Sequence, residues 1–291
     1  MTEVVWLGTA EAHDSATVGG KAASLSRLAA EYSVPPGFAL TVDALRQAAP
    51  ELTRGTLPEW LRSYLAEGYS RLGHQRVAVR SSAIDEDGDA HSFAGQHATY
   101  LNVEGLEAIE RAVVDCFASA FTDQAIAYRL RAGSPVDEIG IAILVQAQVA
   151  ADSAAVVFSA NPVSRSLDEI VINASYGLGE SIVGGTATPD TFLVHKADLE
   201  IVSRTIGSKL VMTLPVAGGT REYETPALLR GRPAVTDAQV IELAELALQL
   251  ETGLGTPVDI ECAVQDGAVF LLQCRPITTL PASSGAERGT P

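Results

Sequence analysis

The chain has 291 residues, 47% of them hydrophobic and 19% charged, and a formal net charge of −16 at pH 7. This length suffices for one large domain or two lobes, and the acidic balance argues against nucleic acid or an anionic membrane as the main partner. It does not exclude nucleotides, because a few local cations can hold a phosphate within an acidic protein. Charged residues interrupt every apolar run before about 18 residues, so we expect no transmembrane helix.

The cysteine and histidine content gives no sign of a metal centre. The three cysteines have no metal-type spacing, and their odd, low number is typical of a reducing compartment. There is also no N-terminal signal pattern, so we expect a cytoplasmic protein. The five histidines have no base or anion-stabilising context nearby in the sequence, and we expect them to be non-catalytic.

The first half of the sequence predicts short strands that alternate with helices. Apolar patterning predicts strands at residues 3–7, 38–40, 76–80, 99–103 and 141–149. Helical spacing predicts helices after Gly20, over 43–47 with Thr41 as N-cap, irregularly over 50–73, and over 104–131.

The second half has more strands and more glycine. Strands are predicted at residues 155–158, 170–173, 191–195 and 200–205, a helix at 237–250, and a closing hairpin at 259–277. The polar stretch 280–291 is typical of a flexible tail or linker. The sequence therefore predicts an α+β (mixed α/β) fold with an N-terminal lobe at 1–145, a C-terminal lobe at 146–279 and a tail at 280–291.

Lys21 is the first candidate for an anion site. It follows Gly19-Gly20 at a predicted helix start, where backbone N–H groups favour an anion and a lysine adds positive charge. The spacing is not that of a Walker A loop. A solvent-exposed lysine on an ordinary helix remains the alternative.

Arg80 ends a predicted strand and is followed by two serines, an arrangement that suits phosphate recognition. A salt bridge to the acidic residues 85–87 is the alternative. Further on, Gly95 lies in a small turn that leads to Thr99, where a backbone could approach a ligand closely. An ordinary turn is equally open here.

Gln146 interrupts an apolar strand, and a buried amide must be hydrogen-bonded. It could read an adenine edge where the lobes meet, or it could be a satisfied core amide. The Gly177-Leu178-Gly179-Glu180 motif could be a phosphate cover or a tight turn, and it lacks dinucleotide-fingerprint spacing. Lys209 could neutralise phosphate, with a surface lysine as the default.

The last two predicted strands flank a turn at Gln265-Asp266-Gly267. Side chains alternate faces along a strand, so Asp259 and Glu261 share a face of the first strand, and Gln273 and Arg275 share a face of the second. A hairpin with all four polar groups on one face would suit a metal and a polyphosphate, because Mg²⁺ prefers carboxylate oxygens and Arg binds phosphate.

The loop length decides whether the two faces coincide. A two-residue loop pairs Ile260 with Gln273 and separates the acids from Gln273 and Arg275. A three-residue loop pairs Asp259 with Gln273 and brings the polar groups together. We expect the three-residue loop, with Gly267 in a left-handed conformation.

These segments together resemble the nucleotide-binding domain of the pyruvate phosphate dikinase, phosphoenolpyruvate synthase and rifampin phosphotransferase superfamily. The resemblance runs in order from Val18 to Thr278 and is carried by the blocks VGGKAASLSRL, VPPGFALT, VAVRSSAIDEDGDAHSFAGQHATYLNV, ILVQAQV, VVFSANPVS, NASYGLGESIVGG, TPDTF, IGSK and VDIECAV…LLQCRPIT.

The resemblance implies an ATP-grasp type fold, in which two lobes clamp ATP. Lys21 and Arg80 would then hold phosphates, Gly95 and Thr99 would belong to the nucleotide-facing turn, and Gln146 would lie at the adenine end.

The resemblance also implies that Glu261 and Gln273 hold Mg²⁺ and that Arg275 contacts phosphate, so that Arg275, Lys21 and Arg80 are the catalytic cations. In the family, ATP is split to AMP and phosphate, and the β-phosphoryl group passes to a histidine on a separate swivelling domain and then to an acceptor.

Three functions follow from this resemblance. The expected one is a phosphoryl-donating component whose histidine lies on a partner protein or a missing domain, with an unidentified small-molecule acceptor. We expect neither nucleic acid nor membrane as a partner. The alternatives are a self-contained ATP-dependent kinase or ligase, and a non-catalytic ATP-binding module.

Overall fold

A computed structural model describes residues 2–84, 98–122, 126 and 140–278 of the chain. Its first half contains β1 (Val4–Trp6), a 3-10 helix (Ala10–His13), α1 (Ser15–Leu28), β2 (Gly37–Leu40), α2 (Val42–Leu52), α3 (Glu59–Arg71), β3 (Val77–Ala83), β4 (Thr99–Val103), α4 (Leu106–Ser119) and β5 (Ile141–Ala147).

The second half contains β6 (Ser153–Phe158), β7 (Glu169–Tyr176), α5 (Glu180–Val183), β8 (Asp190–His195), β9 (Ile201–Thr205), β10 (Val211–Val216), β11 (Gly219–Glu224), α6 (Ala227–Arg230), α7 (Asp237–Leu254), β12 (Val258–Gln265) and β13 (Ala268–Pro276). Among the described residues, no helix is both long and apolar enough to cross a bilayer.

The first sheet has the antiparallel order β1-β2-β5-β3-β4. One face packs under α2, α3 and α4 in a core that includes Phe38, Val79, Ile143 and Val145. The intervening residues point to the opposite face, because side chains alternate along a strand. That opposite face carries Arg80 and Gln146.

The second sheet has the antiparallel order β13-β12-β6-β7-β8-β9. Helix α7 covers one face with Val240, Leu243 and Ala247, and Cys262 and Cys274 lie in the same core. The two cysteines are buried. The face opposite α7 is therefore the one that can carry polar side chains.

The predicted mixed α/β class is confirmed, and most strands lie within two residues of their predicted positions. Two local predictions of helix bounds were wrong. Helix α1 begins at Ser15 and kinks at Gly19, which has a φ of 76°, and α2 runs through Pro50 to Leu52. The hairpin β10–β11 was not predicted. The division at residue 145 stays a prediction, and residues 280–291 lie outside the described ranges.

Candidate functional site

A cavity of about 490 Å³ lies between the two sheets. It is lined by residues of α1, β3, β4, β5, α5, β12 and β13. Seven of the predicted site residues line this one cavity: Lys21, Arg80, Thr99, Gln146, Glu261, Gln273 and Arg275. Gly95 lies outside the described residues. The structure thus brings together side chains that are up to 254 positions apart in the sequence, from Lys21 to Arg275.

The hairpin β12–β13 brings its polar side chains to one face through a two-residue loop and a β-bulge. The expected three-residue loop was wrong, because Gln265 pairs with Ala268 and leaves only Asp266-Gly267 in the turn. Both turn residues have positive φ, 52° and 85°, as the type I′ turns that match strand twist require.

A β-bulge at Leu272 then corrects the register. Between Cys262, opposite Leu271, and Glu261, opposite Gln273, strand β13 has one extra residue. The extra residue shifts the remaining pairs by one position, so Asp259 lies opposite Arg275 and not opposite Cys274. The predicted pairing of Asp259 with Gln273 was therefore wrong. The polar side chains nevertheless share a face, because the bulge places Glu261 opposite Gln273 and Asp259 opposite Arg275. A two-residue loop without a bulge would have put the acids and their partners on different faces.

Arg80 crosses the cavity from the first sheet to the second. Its Nη1 donates to the carbonyl oxygen of Leu272 at 2.6 Å, and its Nη2 donates to Gln273 Oε1 at 2.9 Å. Nη2 is also 3.6 Å from Glu261 Oε2. The Arg80 side chain is only 9% exposed, so this guanidinium is held in a largely desolvated position next to the hairpin.

Lys21 reaches the same end of the cavity because α1 approaches β3 very closely. The Lys21 ammonium donates to the Ser81 carbonyl at 2.8 Å, and the Ala22 backbone N–H donates to Ser82 Oγ at 3.1 Å. A Cβ atom at Gly19 would lie 2.1 Å from the Ser82 carbonyl oxygen, so only glycine permits this approach. Lys21 is 5% exposed, which contradicts the alternative of a solvent lysine.

Arg275 is held by a carboxylate on the neighbouring strand. Its Nε and Nη2 both donate to Asp259 Oδ2, at 2.8 and 2.6 Å. Burial raises the pKa of the Asp259 carboxyl, and the positive charge of Arg275 opposes that rise. The Arg275 side chain is 28% exposed and lines the cavity, whereas Asp259 lies behind it.

The other end of the cavity is mainly apolar. Gln146, which is buried, donates from Nε2 to the Pro35 carbonyl at 2.9 Å, so its amide is partly satisfied by the protein. The cavity is also lined by Leu178 of the glycine-rich motif and by residues that the sequence reading missed: Ala78, Leu101, Ala147, Val149 and Ala263. Three of them, Ala78, Leu101 and Ala263, lie two positions from a predicted site residue on the same strand, and this spacing is the signal that could have identified them.

The glycine-rich segment forms the cavity wall opposite the first sheet. Leu178, Gly179 and Glu180 line the cavity, and the Leu178 N–H donates to the Thr213 carbonyl of β10 at 2.9 Å. A Cβ at Gly177 would lie 2.3 Å from that carbonyl oxygen. The unpredicted hairpin β10–β11 therefore supports this wall, and its tip is tied to β4 by Asn102.

Lys209 is neither the predicted phosphate ligand nor the default surface lysine. Its ammonium is fully buried and forms an ion pair with Asp190, which is also fully buried. Asp190 also accepts from the Gly207 and Ala234 N–H groups at 2.9 and 2.7 Å. Lys209 does not line the cavity, so its charge serves the packing of the 207–209 turn.

The donor set at the hairpin fits Mg²⁺ bound together with a nucleotide. Within the described ranges, no group of three or more His, Cys, Asp or Glu side chains could hold a metal ion. Glu261 and Gln273 face each other across the ladder and offer a carboxylate and an amide oxygen. Mg²⁺ commonly takes one or two protein ligands and completes its shell with phosphate oxygens and waters.

The chain matches known proteins along most of its length. Residues 46–290 match the family model of the pyruvate phosphate dikinase AMP/ATP-binding domain. The chain is 36% identical to a probable phosphoenolpyruvate synthase of Methanocaldococcus jannaschii, with 96% of this chain and 27% of that protein covered.

Two further relatives carry different names. The chain is 38% identical to the rifampicin phosphotransferase of Streptomyces sviceus, over 94% of this chain and 36% of that protein. It is also 38% identical to the prodigiosin synthesizing transferase PigC of Serratia marcescens, over 90% of this chain and 32% of that protein. The chain thus spans about a third of the length of these curated relatives.

Proposed function

Because the chain belongs to the family of pyruvate phosphate dikinase AMP/ATP-binding domains, we propose that it is the Mg-ATP-binding, phosphoryl-donating part of a dikinase-type phosphotransferase. In this proposal the two sheets form the two lobes of an ATP-grasp fold and ATP occupies the cavity between them. The histidine that receives the β-phosphoryl group lies on a separate domain or on a partner protein.

The proposal places the base at the apolar end of the cavity and the phosphates at the charged end. Adenine would contact Leu101 and Leu178, with Gln146 at its edge. Apolar walls with a few polar groups are usual for such ligands. Thr99, and Gly95 beyond the described residues, would lie along the nucleotide.

Three cations would hold the phosphates at the charged end: Lys21, Arg80 and Arg275. An arginine can bind phosphate oxygens with two parallel N–H donors, and a lysine adds a compact charge. Glu261 and Gln273 would hold Mg²⁺, which neutralises phosphate charge when it is bound. Arg80 now donates to the same amide oxygen, so phosphate binding would draw its guanidinium away from Gln273.

One observation carries the proposal. Seven of the predicted residues come from five separate stretches of the sequence, yet they line the same cavity. The contacts of Lys21 with Ser81 and of Arg80 with Glu261 and Gln273 bring charged groups together at one end. Random packing of a domain with a net charge of −16 would not concentrate three largely buried or half-buried cations around one cavity.

The chemistry consists of charge neutralisation and alignment. The α–β and β–γ anhydride bonds of ATP break, a P–N bond forms between the β-phosphorus and the histidine, and one water is consumed as AMP and inorganic phosphate form. The chain's own residues would bind the oxygens on which charge develops and keep the phosphorus in line with the incoming nitrogen.

The decisive experiment follows the label of ATP carrying ³²P at the β or the γ position, in the presence of Mg²⁺. The chain is incubated alone and with a candidate partner that carries the phospho-accepting histidine. We expect AMP only with the partner, β-label in acid-labile phosphohistidine and γ-label in inorganic phosphate. Product formed without a partner, on a small molecule, would support a self-contained kinase or ligase instead. Binding of ATP without any product under either condition would support a non-catalytic module.

A further inference from the structure

Asp259 is a buried carboxylate that contacts Arg275 and does not itself line the cavity. We propose that Asp259 is a positioning residue that fixes the Arg275 guanidinium toward the polyphosphate. This inference rests on the proposed function, because it requires that Arg275 binds phosphate.

The contact is built by the backbone register of the hairpin. The bulge at Leu272 places Asp259 directly opposite Arg275, and side chains opposite each other in an antiparallel pair are close neighbours. Two nitrogens of Arg275, Nε and Nη2, converge on the single oxygen Oδ2. Two bonds on one edge of a planar guanidinium fix the orientation of the whole group.

The exposures of the two side chains separate their roles. The side chain of Asp259 is 7% exposed, and the residue does not line the cavity. The side chain of Arg275 is 28% exposed and does line it. A ligand in the cavity would therefore meet Arg275, and Asp259 would act on it only through Arg275.

The two carboxylates of β12 differ in the same way. Glu261 lines the cavity, as a metal ligand must. Asp259 directs Oδ2 to Arg275, and its Oδ1 is buried without a hydrogen-bond partner among the described residues. An oxygen closed off in this way is not placed to coordinate an ion in the cavity. Asp259 therefore positions a phosphate ligand and does not add a second metal ligand.

The consequence is preorganisation. A free arginine side chain loses rotamer freedom when it binds phosphate, whereas one already held by a carboxylate loses less, and this difference appears as affinity. This gain in affinity exists only for ligands that carry phosphates near Arg275. Removal of the Asp259 carboxylate should therefore weaken ATP and leave adenosine unaffected.

The experiment measures the affinity of the full chain for adenosine and for Mg-ATP by calorimetry, in four proteins: wild type, Asp259→Asn, Arg275→Ala and the double variant. Asp237→Asn is the matched control, because Asp237 accepts a hydrogen bond from Arg204 at 2.7 Å outside the cavity. Asp259→Glu tests rescue, since it restores the charge one methylene further out.

We expect Asp259→Asn to weaken Mg-ATP binding roughly tenfold and adenosine binding less than twofold. In the Arg275→Ala background, Asp259→Asn should weaken Mg-ATP binding by less than about twofold further, since the two residues act as one unit. Asp259→Glu should recover part of the lost affinity, and Asp237→Asn should bind both ligands like the wild type.

Two results would overturn the inference: an equal loss of adenosine and ATP affinity in Asp259→Asn, which marks a purely structural residue, or full additivity with Arg275→Ala. Thermal unfolding of each variant separates loss of the fold from loss of the contact. Failure of the proposed function has its own signature, a wild-type chain that binds no ATP, and that result overturns both.

Discussion

The two ends of the cavity are built from the same strands but differ in chemistry. Ala78 lies two positions before Arg80 on β3, and Leu101 lies two positions after Thr99 on β4. On β12 the same step leads from Glu261 to Ala263. Each step moves about 7 Å along a strand without changing the face. The polar side chains therefore line one end of the cavity and the apolar ones the other.

This contrast shows how one strand face can recognise two parts of one ligand. A nucleotide has an apolar, planar base and a strongly charged tail, separated by a ribose of comparable length to the step along the strand. The apolar end should contribute equally to adenosine and ATP affinity. The charged end should contribute only when phosphates are present, so a comparison of these two ligands measures each end separately.

The largest expected effect comes from the charged end. Glu261→Ala removes a carboxylate whose Oε2 lies 3.6 Å from Arg80 Nη2 and which is a proposed Mg²⁺ ligand. We expect AMP formation from Mg-ATP with the histidine partner to fall by roughly 10²–10³-fold, because developing phosphate charge loses its counter-ion. The side chain is 26% exposed, so the fold should persist.

The control for this variant is Glu245→Ala, on the exposed surface of α7. It removes the same charge outside the cavity and should leave AMP formation unchanged. Equal rates of AMP formation by Glu261→Ala and Glu245→Ala would show that Glu261 is not part of the site. They would also argue against the hypothesis that the cavity has a charged end and an apolar end.

Gly19→Ala tests how the charged end is assembled. The new Cβ would lie 2.1 Å from the Ser82 carbonyl oxygen, and the φ of 76° is unfavourable for alanine. We expect the free energy of unfolding to fall by about 2–3 kcal/mol, from overpacking and backbone strain together. Because α1 carries Lys21, affinity for ATP should fall more than affinity for adenosine.

Gly55→Ala provides the matched comparison, since Gly55 has a similar φ of 82° but nothing within 4 Å of an added Cβ. It should cost only the strain, about 1–2 kcal/mol in denaturant unfolding. If Gly19→Ala and Gly55→Ala lower the free energy of unfolding by the same amount, the close approach of α1 to β3 does not contribute to the loss of stability in Gly19→Ala.

Much of the charged end could be predicted from the sequence, because its residues carry chemistry that is unusual inside a sheet. Arg80, Glu261 and Arg275 stand out in apolar strands, and a period of two places each on a face. The loop length could not be read, since Asp266-Gly267 suits both a two-residue and a three-residue loop. The bulge at Leu272 has no signal in an apolar stretch of valine, phenylalanine and leucine.

The apolar end and its support were harder to predict for a physical reason. Leu101 and Ala263 have side chains that suit a core as well as a cavity wall, and only the fold distinguishes the two. Lys209 shows the opposite error, because a lysine after a glycine turn reads as exposed until its buried partner Asp190 is known. Contacts between residues far apart in the sequence decide both cases, and local sequence patterns do not contain this information.

Leu101→Ala tests the apolar end directly. The substitution removes apolar surface that would contact the base, and about fivefold weaker binding of both adenosine and ATP is expected, equivalent to roughly 1 kcal/mol. Calorimetric titration with each ligand would check this. A loss seen with ATP alone would place Leu101 at the charged end and contradict the arrangement described above.

Thr99→Val gives the smallest expected effect and the finest test, because Thr99 is two residues from Leu101 on the same face of β4 and pairs with Arg80 across the ladder. Valine keeps the shape of the side chain and the strand propensity but removes the hydroxyl, which in the proposed function would donate or accept one neutral hydrogen bond at the phosphate-bearing part of the ligand. We expect about twofold to threefold weaker ATP binding and unchanged adenosine binding. A loss confined to ATP in Thr99→Val, beside a loss with both ligands in Leu101→Ala, would locate the boundary between the two ends within a single step along one strand. The same dependence in both variants would mean that β4 contacts only one part of the nucleotide.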